Sequence, residues 1–463
     1  MLIFEGLPSS AVNSSFFYDE KRDISLKEGE LMDPAITTLC VLAVAAFLFV
    51  TELIPLAVTA MAACTALGIL GVLPSKQVYA GLSNSTVVLF GGMFVIGAAM
   101  FKTGLAEAVG LWVVNKAGTK EVPLMGAIMV VTIALSAVSS NTGTVACLMP
   151  VIVGIANAAH IPASKELMPL AVAANVGGTI TMIGTPPNVI VTGALSAAGL
   201  PSFGFFEFAL IGVPLSVIVL VYMLTIGRKT IPVKNAGAMD AAAVEAAKKE
   251  AGASDDNAPK SKTKMGISGL ILLGVVAAMA LNLKTVPLQT AAVTGAILCV
   301  ITGCLKEKEA YAGIAWVTIF LFAGMLSVAT AMDKTGAGKL IADTVVGMMG
   351  ENPNPIVLCA VLYLISNVLT QFMSNTASAA LLAPIGISIA QSIGADPKPV
   401  LMSIGIAASM AFATPMATPP NTLVLGPGGF NFNDYVKVGV PLCIITFIAS
   451  VIIIPIFWPF FPG

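Results

Sequence analysis

Charged side chains are scarce in this chain. Asp, Glu, Lys and Arg make up 10% of its 463 residues, against about 25% in a soluble protein. So few charges cannot clothe the surface of a water-soluble chain of this length, whereas a surface that faces lipid needs none. Histidine is scarcer still: His160 stands alone, in what reads as a solvated loop. The cysteines (Cys40, Cys64, Cys147, Cys299, Cys304, Cys359 and Cys443) are scattered singly through apolar segments with no Cys-x-x-Cys pair. That argues against a metal or redox centre and for small helix-packing residues. No nucleophile–base pair and no cluster of metal ligands is visible, which disfavours an enzyme. Apart from Glu52, read as an anchor at the end of the first apolar run, no Asp, Glu, Lys or Arg lies well inside an apolar segment. Proton relays use intramembrane carboxylates, so a purely proton-driven mechanism is disfavoured too. The chain does not open on a basic stretch followed by a short apolar one, so no secretory signal is expected.

What is present in abundance is long apolar runs. Residues 34–50, 54–73, 86–100, 209–226, 265–281, 287–305, 316–332 and 438–457 each approach or reach the roughly 20 residues a membrane-spanning helix needs. The expected fold is an all-α polytopic membrane protein, placed in the cell inner (plasma) membrane. Residues 1–34 are polar and read as a tail. A second polar stretch, 228–264, carries Arg228, Lys229, Lys234, Lys248, Lys249, Lys260, Lys262 and Lys264. It divides the chain into halves at 35–227 and 265–463.

The halves repeat one another. The run IPLAVTAMAACTALGILGVL (54–73) matches VPLQTAAVTGAILCVITGCL (286–305), and Phe90, Gly92, Met93, Lys102, Thr103 and Gly104 fall on Phe322, Gly324, Met325, Lys334, Thr335 and Gly336 at a spacing of 232. Ser140-Asn141-Thr142 recurs as Ser374-Asn375-Thr376, Thr185-Pro186-Pro187-Asn188 as Thr418-Pro419-Pro420-Asn421, and Val213-Pro214 as Val440-Pro441. Matching landmarks in one order at nearly one offset mark an internal repeat.

In each half the Ser-Asn-Thr sequence sits between apolar arms and reads as the tip of a re-entrant hairpin, over 122–158 and 355–393. The Thr-Pro-Pro-Asn sequence interrupts an apolar stretch, over 168–198 and 399–426, and reads as a broken helix. Counting the hairpins as non-crossing leaves roughly five crossings per half. That number is odd, so the halves are expected to be inverted. With the linker 228–264 on the cytoplasmic side, Lys102, Lys116, Lys120, Lys165, Lys306, Lys308 and Lys437 join it there, against Lys76, Lys284, Lys334, Lys339 and Lys398 outside. The excess falls where the positive-inside rule puts it, with both termini outside.

Non-helical backbone at membrane depth is tolerated only where protein or a water-filled cavity satisfies it. Paired prolines remove amide donors and push the preceding residue out of the helical region, so the helix must open at both Thr-Pro-Pro-Asn sequences. Opening frees carbonyls such as those of Gly184 and Ala417, which suit a sodium ion, and exposes a half-helix N-terminus, which favours an anion. Ser, Thr and Asn at the two tips add uncharged donors and acceptors. Broken helices at matching positions of two inverted halves are the best sequence pointer to a transporter's binding site. A substrate anion meets no Lys or Arg there, so its charge must be offset by helix termini and by co-bound cations.

Paired Ser-Asn-Thr sequences, each followed by a Pro-Pro break, resemble the divalent anion/sodium symporter family of dicarboxylate and citrate transporters, over residues 35–460. The resemblance implies a homodimer whose transport domain, holding hairpins and broken helices, moves as an elevator against a scaffold domain. It implies one sodium site with Ser136, Ser140, Asn141 and Gly184, and a second with Thr370, Asn375 and Ala417. It implies substrate carboxylates at Ser140, Asn141, Thr142, Ser374, Asn375, Thr376, Thr418 and Pro419. One departure is that bacterial relatives often carry an extra apolar helix where this chain has its polar tail. The expected function is sodium-coupled uptake of a C4-dicarboxylate such as succinate, malate or fumarate. An exchanger of the same fold, and citrate or sulfate as substrate, remain open alternatives. A channel is disfavoured because paired sites with hairpins suit alternating access better than a pore.

Overall fold

The computed structural model describes residues 33–118, 120–234, 261–281, 285–349 and 354–461. The tail through residue 32 and linker residues 235–260 lie outside them. Every regular element among the described residues is helical. The principal helices of the first half are α1 (Pro34–Thr51), α2 (Leu56–Ile69), α3 (Ser85–Lys102), α4 (Leu105–Ala117), α5 (Glu121–Ser136), α6 (Asn141–Ala158), α7 (Ser164–Gly177), α8 (Pro186–Ala197) and α9 (Ala209–Tyr222). The second half repeats them as α10 (Lys262–Ala280), α11 (Leu288–Ile301), α12 (Trp316–Thr335), α13 (Ala337–Met349), α14 (Pro355–Leu369), α15 (Asn375–Ser392), α16 (Pro397–Ser409), α17 (Pro419–Leu425) and α18 (Phe432–Phe457). Seven helices among the described residues, including α1, α3, α10, α12 and α18, are long and apolar enough to cross a membrane.

Local chemistry sets the boundaries. The Asp33 carboxylate accepts from the Ala35 N–H at the start of α1, with Pro34 at the first helical position, and Asp396 and Pro397 do the same for α16. Asn84 and Asn354 cap α3 and α14 through their side-chain oxygens. These are the cap and N1 residues that leave fewest helix-end amides orphaned. The repeated Lys-Thr-Gly has a backbone explanation. Gly104 (φ 81°) and Gly336 (φ 74°) take up the left-handed conformation, which ends α3 and α12 and lets α4 and α13 set off in a new direction. A side chain there would be strained.

The halves pack by exchanging equivalent partners. Helix α3 crosses α11 where Gly92 lies against the Ala292 backbone, and α12 crosses α2 where Gly324 lies against that of Ala60. At either crossing a Cβ on the glycine would stand 2.7 Å from a backbone carbon, the close approach that small residues permit between apolar helices. The Thr103 and Ser268 hydroxyls bond at 2.8 Å, and Thr335, the counterpart of Thr103, donates to the Thr38 hydroxyl at 3.3 Å. Lys102 pairs with Glu309 at 3.3 Å, and Lys334 donates to Gln77 at 2.6 Å. Lys102 ends α3 while Glu309 precedes α12, so these counterpart helices run antiparallel.

The same contacts sort the molecule into two ends. Lys102, Glu309, the Lys264 carbonyl bonded by Cys304, the Lys165–Arg228 contact and the Lys234–Asp434 pair share the end that carries the linker. Lys334, Gln77, Glu207, Lys398 and Trp458 lie at the other. Trp458 is buried there and donates its Nε1–H to Glu207.

Candidate functional site

Helices α5 and α6 meet at residues 137–140, and α14 and α15 at 370–374. Ser140 caps α6 by accepting from the Gly143 N–H. The two prolines of each Thr-Pro-Pro-Asn sequence open α8 and α17, with Thr185 and Thr418 in extended backbone just before them. What closes the broken segments is the asparagine that follows the prolines. Asn188 Nδ2 donates to the carbonyls of Gly178 and Thr181, and Asn421 Nδ2 to those of Ala411 and Thr414. The carbonyls freed by the break are thereby partly satisfied from within, as buried backbone requires.

Both tips and both breaks line one cavity of about 1070 Å³. Ser140, Asn141, Thr142 and Gly184 reach it from the first half, and Ser374, Asn375, Thr376, Ala417, Thr418 and Pro419 from the second. Ser136 and Thr370 do not line it. They lie buried behind the tips, each within bonding distance of its tip asparagine. The cavity is one-sided. Its rim includes Glu52, Leu56, Phe101 and residues 312–317, all at the linker end, whereas the counterparts Leu288, Asp333 and residues 80–85 do not line it. Among the described lining residues Glu52 is charged and no Lys, Arg or His appears.

Oxygen atoms converge behind each tip. Ser136 Oγ stands 2.5 Å from Asn141 Oδ1 and 2.7 Å from the Ala174 carbonyl oxygen. The same amide end of Asn141 is 3.0 Å from the Gly184 carbonyl oxygen and 3.3 Å from that of Ala174. Thr370 Oγ1 stands 2.6 Å from Asn375 Oδ1 and 2.7 Å from the Ala408 carbonyl oxygen. Each hydroxyl has one proton and faces two acceptors. The acceptors outnumber the hydrogens, so either an amide NH2 or a small cation must stand among them. A hard cation takes such uncharged oxygens readily.

Several site residues carried no sequence signal. Asn175, on α7, lines the cavity and reaches across to the other half, donating to Thr418 Oγ1 and Asn421 Oδ1 at 3.1 Å each. Its position has no polar counterpart, since Ala408 stands there in the second half. Phe90, Phe94, Trp316, Phe372 and Met416 give the cavity apolar walls. Glu52 ends α1 in a left-handed conformation (φ 49°) at the rim. The start of α7, outside the long apolar runs, holds the adjacent charges Lys165 and Glu166. Lys165 donates to the carbonyls of Arg228 and Ile231, and the buried Glu166 carboxyl has no hydrogen-bond partner among the described residues.

An apolar helical bundle enclosing paired, uncharged, oxygen-rich pockets on a shared cavity defines a membrane transporter. The citrate transporter family profile, CitMHS, matches residues 46–401, and the chain belongs to that family. It is 26% identical to the uncharacterized transporter YfbS of Escherichia coli (strain K12), over 92% of this chain and 99% of that one. It is also 26% identical to the sodium-dependent dicarboxylate transporter SdcS of Staphylococcus saprophyticus, over 92% and 86%. Among solved structures it resembles the YdaH transporter of Alcanivorax borkumensis (TM-score 0.63, 13% identity, 92% of this chain and 98% of that one). It also resembles MtrF of Neisseria gonorrhoeae (TM-score 0.60, 15% identity, 94% and 98%). At these identities the likeness concerns the fold.

Proposed function

We propose that the protein is a sodium-coupled symporter of a small dicarboxylate of the C4 class. The observation that carries this reading is the shared cavity: two Ser-Asn-Thr tips and two proline breaks face one space that contains no cationic side chain among its described lining residues. A doubly charged anion there has its charge offset by the N-termini of α6, α8 and α15 and by cations in the oxygen clusters behind the tips. Sodium sites are assigned to Ser136, Ser140, Asn141 and Gly184, and to Thr370, Asn375 and Ala417. Substrate carboxylates are assigned to both Ser-Asn-Thr tips, Thr418 and Pro419. Binding of cation and anion is then mutually dependent, which is what couples their transport. The sodium-dependent dicarboxylate transporter among the relatives supports the choice of ion and substrate class.

The antiparallel counterpart helices favour halves inverted across the membrane, with the linker cytoplasmic and the cavity open inward. In this reading hairpins and broken helices move as one body, elevator-fashion, past a scaffold of α1–α3 and α10–α12 through which two copies associate. The deciding experiment is uptake of labelled succinate into proteoliposomes, with and without a sodium gradient. Saturable, sodium-stimulated uptake is expected. Uptake indifferent to sodium rejects symport, and cation-independent counterflow identifies an exchanger. Cross-linking in membranes tests the dimer.

A further inference from the structure

We infer that Asn175 is a positioning residue that fixes the Thr418 hydroxyl as a hydrogen-bond donor to the cavity, so that this end of the site selects a carboxylate oxygen. The inference rests on the reading of the cavity as an anion site. It follows from counting hydrogens. Asn421 Nδ2 donates to the carbonyl oxygens of Ala411 (3.0 Å) and Thr414 (2.9 Å), which can only accept. Asn421 Oδ1 is therefore an acceptor. Asn175 Nδ2 lies 3.1 Å from that oxygen and 3.1 Å from Thr418 Oγ1, which spends both of its hydrogens. The Asn421 backbone N–H also donates to Thr418 Oγ1, at 3.4 Å. A hydroxyl has two lone pairs and one proton. Both lone pairs of Thr418 are taken, its proton has no acceptor among the described residues, and the residue lines the cavity.

The first half lacks this chain. Asn188 is held by carbonyls in the same manner, but the counterpart of Asn175 is Ala408, whose side chain has nothing to donate, and Asn188 Oδ1 is buried without a partner among the described residues. Thr185 Oγ1 receives a long contact of 3.5 Å from Ser409 Oγ. Its hydroxyl is free to donate or accept. The two ends of the cavity thus differ: one is set for an acceptor group, the other adapts. That difference comes from a single asparagine outside both repeated motifs.

The test is Asn175→Asp, which keeps the shape and reverses the hydrogen bonding. An ionised carboxylate at position 175 accepts the Thr418 proton, withdraws it from the cavity and adds a negative charge. The KM for fumarate, a dianion at pH 8, is expected to rise at least tenfold there with kcat retained. An unchanged KM, or a fall in kcat at constant KM, overturns the assignment. Should that variant not fold, Asn175→Ala removes the donors without adding charge and places at 175 the residue already tolerated at 408. It is expected to raise KM about fivefold with kcat retained. A fall in kcat at constant KM overturns the assignment. If the wild type takes up no fumarate, succinate or malate at all, the anion reading fails, and the assignment of Asn175 fails with it.

Discussion

Replacing Thr370 by valine removes one hydroxyl and keeps the shape of the side chain. Thr370 is 0% exposed, so no water replaces what is lost. Its Oγ1 is 2.6 Å from Asn375 Oδ1 and 2.7 Å from the Ala408 carbonyl oxygen. With sodium bound it supplies an oxygen, and without sodium it supplies the proton that one of those acceptors needs. Valine removes that oxygen from the ion's shell, and contact of a buried polar group with a charge is worth about 1.5–3 kcal/mol; the proton lost from the sodium-free state offsets part of this, which leaves a loss of ion affinity of about tenfold. The assay is initial succinate uptake against external sodium in proteoliposomes, read as the half-saturating concentration. Thr370→Val should shift it upward about tenfold, and Thr370→Ser should restore it. By mass action the variant should also lose the stabilisation that sodium gives the wild type in a thermal melt. A valine variant with the wild-type sodium curve would refute the placement of an ion beside Thr370. Parallel losses in valine and serine variants would show that packing matters there and the hydroxyl does not.

Three further outcomes are expected. Gly324→Val places a side chain against the Ala60 backbone, an overpacking cost of about 1–3 kcal/mol; a lowered Tm in detergent checks it, and Gly92→Val at the equivalent crossing should behave alike. Burial alone would raise the Glu207 carboxyl, but the Gly204 N–H, Trp458 Nε1–H and Lys398 together hold it below its ordinary value. Its contribution to stability is therefore complete at neutral pH and lost as pH falls below the unfolded value of about 4.3 and through the lowered folded one. Glu207→Gln should flatten that part of the Tm–pH curve. The Glu166 carboxyl is buried without a donor among the described residues, which penalises its charged form, so Glu166→Gln should melt no earlier than wild type. Lys165→Met, which strips the carbonyls of Arg228 and Ile231 of their ammonium, should melt earlier.

The sequence by itself determined the class of protein, the repeat, and which short segments would be chemically unusual. Apolar run length decides what can lie in lipid, and Pro-Pro decides where a helix must open, because both act over a few residues of chain. The Ser-Asn-Thr tips, Gly184 and Ala417 were legible for that reason, while Thr418 and Pro419 as substrate residues came only with the family resemblance. Ser136 and Thr370 were reached through the family resemblance, and the fold places them beneath their asparagines. What only the tertiary structure decided depends on which helix crosses which. Asn175 reads as an ordinary residue of an apolar stretch until α7 meets the opposite half's proline break. Trp316 and Glu52 become rim residues because the cavity opens at one end, and local pattern is blind to that choice because the repeats supply nearly the same residues to both ends. The sides of the cavity differ through a few departures from symmetry, such as asparagine at 175 against alanine at 408. A departure of that kind acquires chemical meaning only when folding sets it against a partner hundreds of residues away.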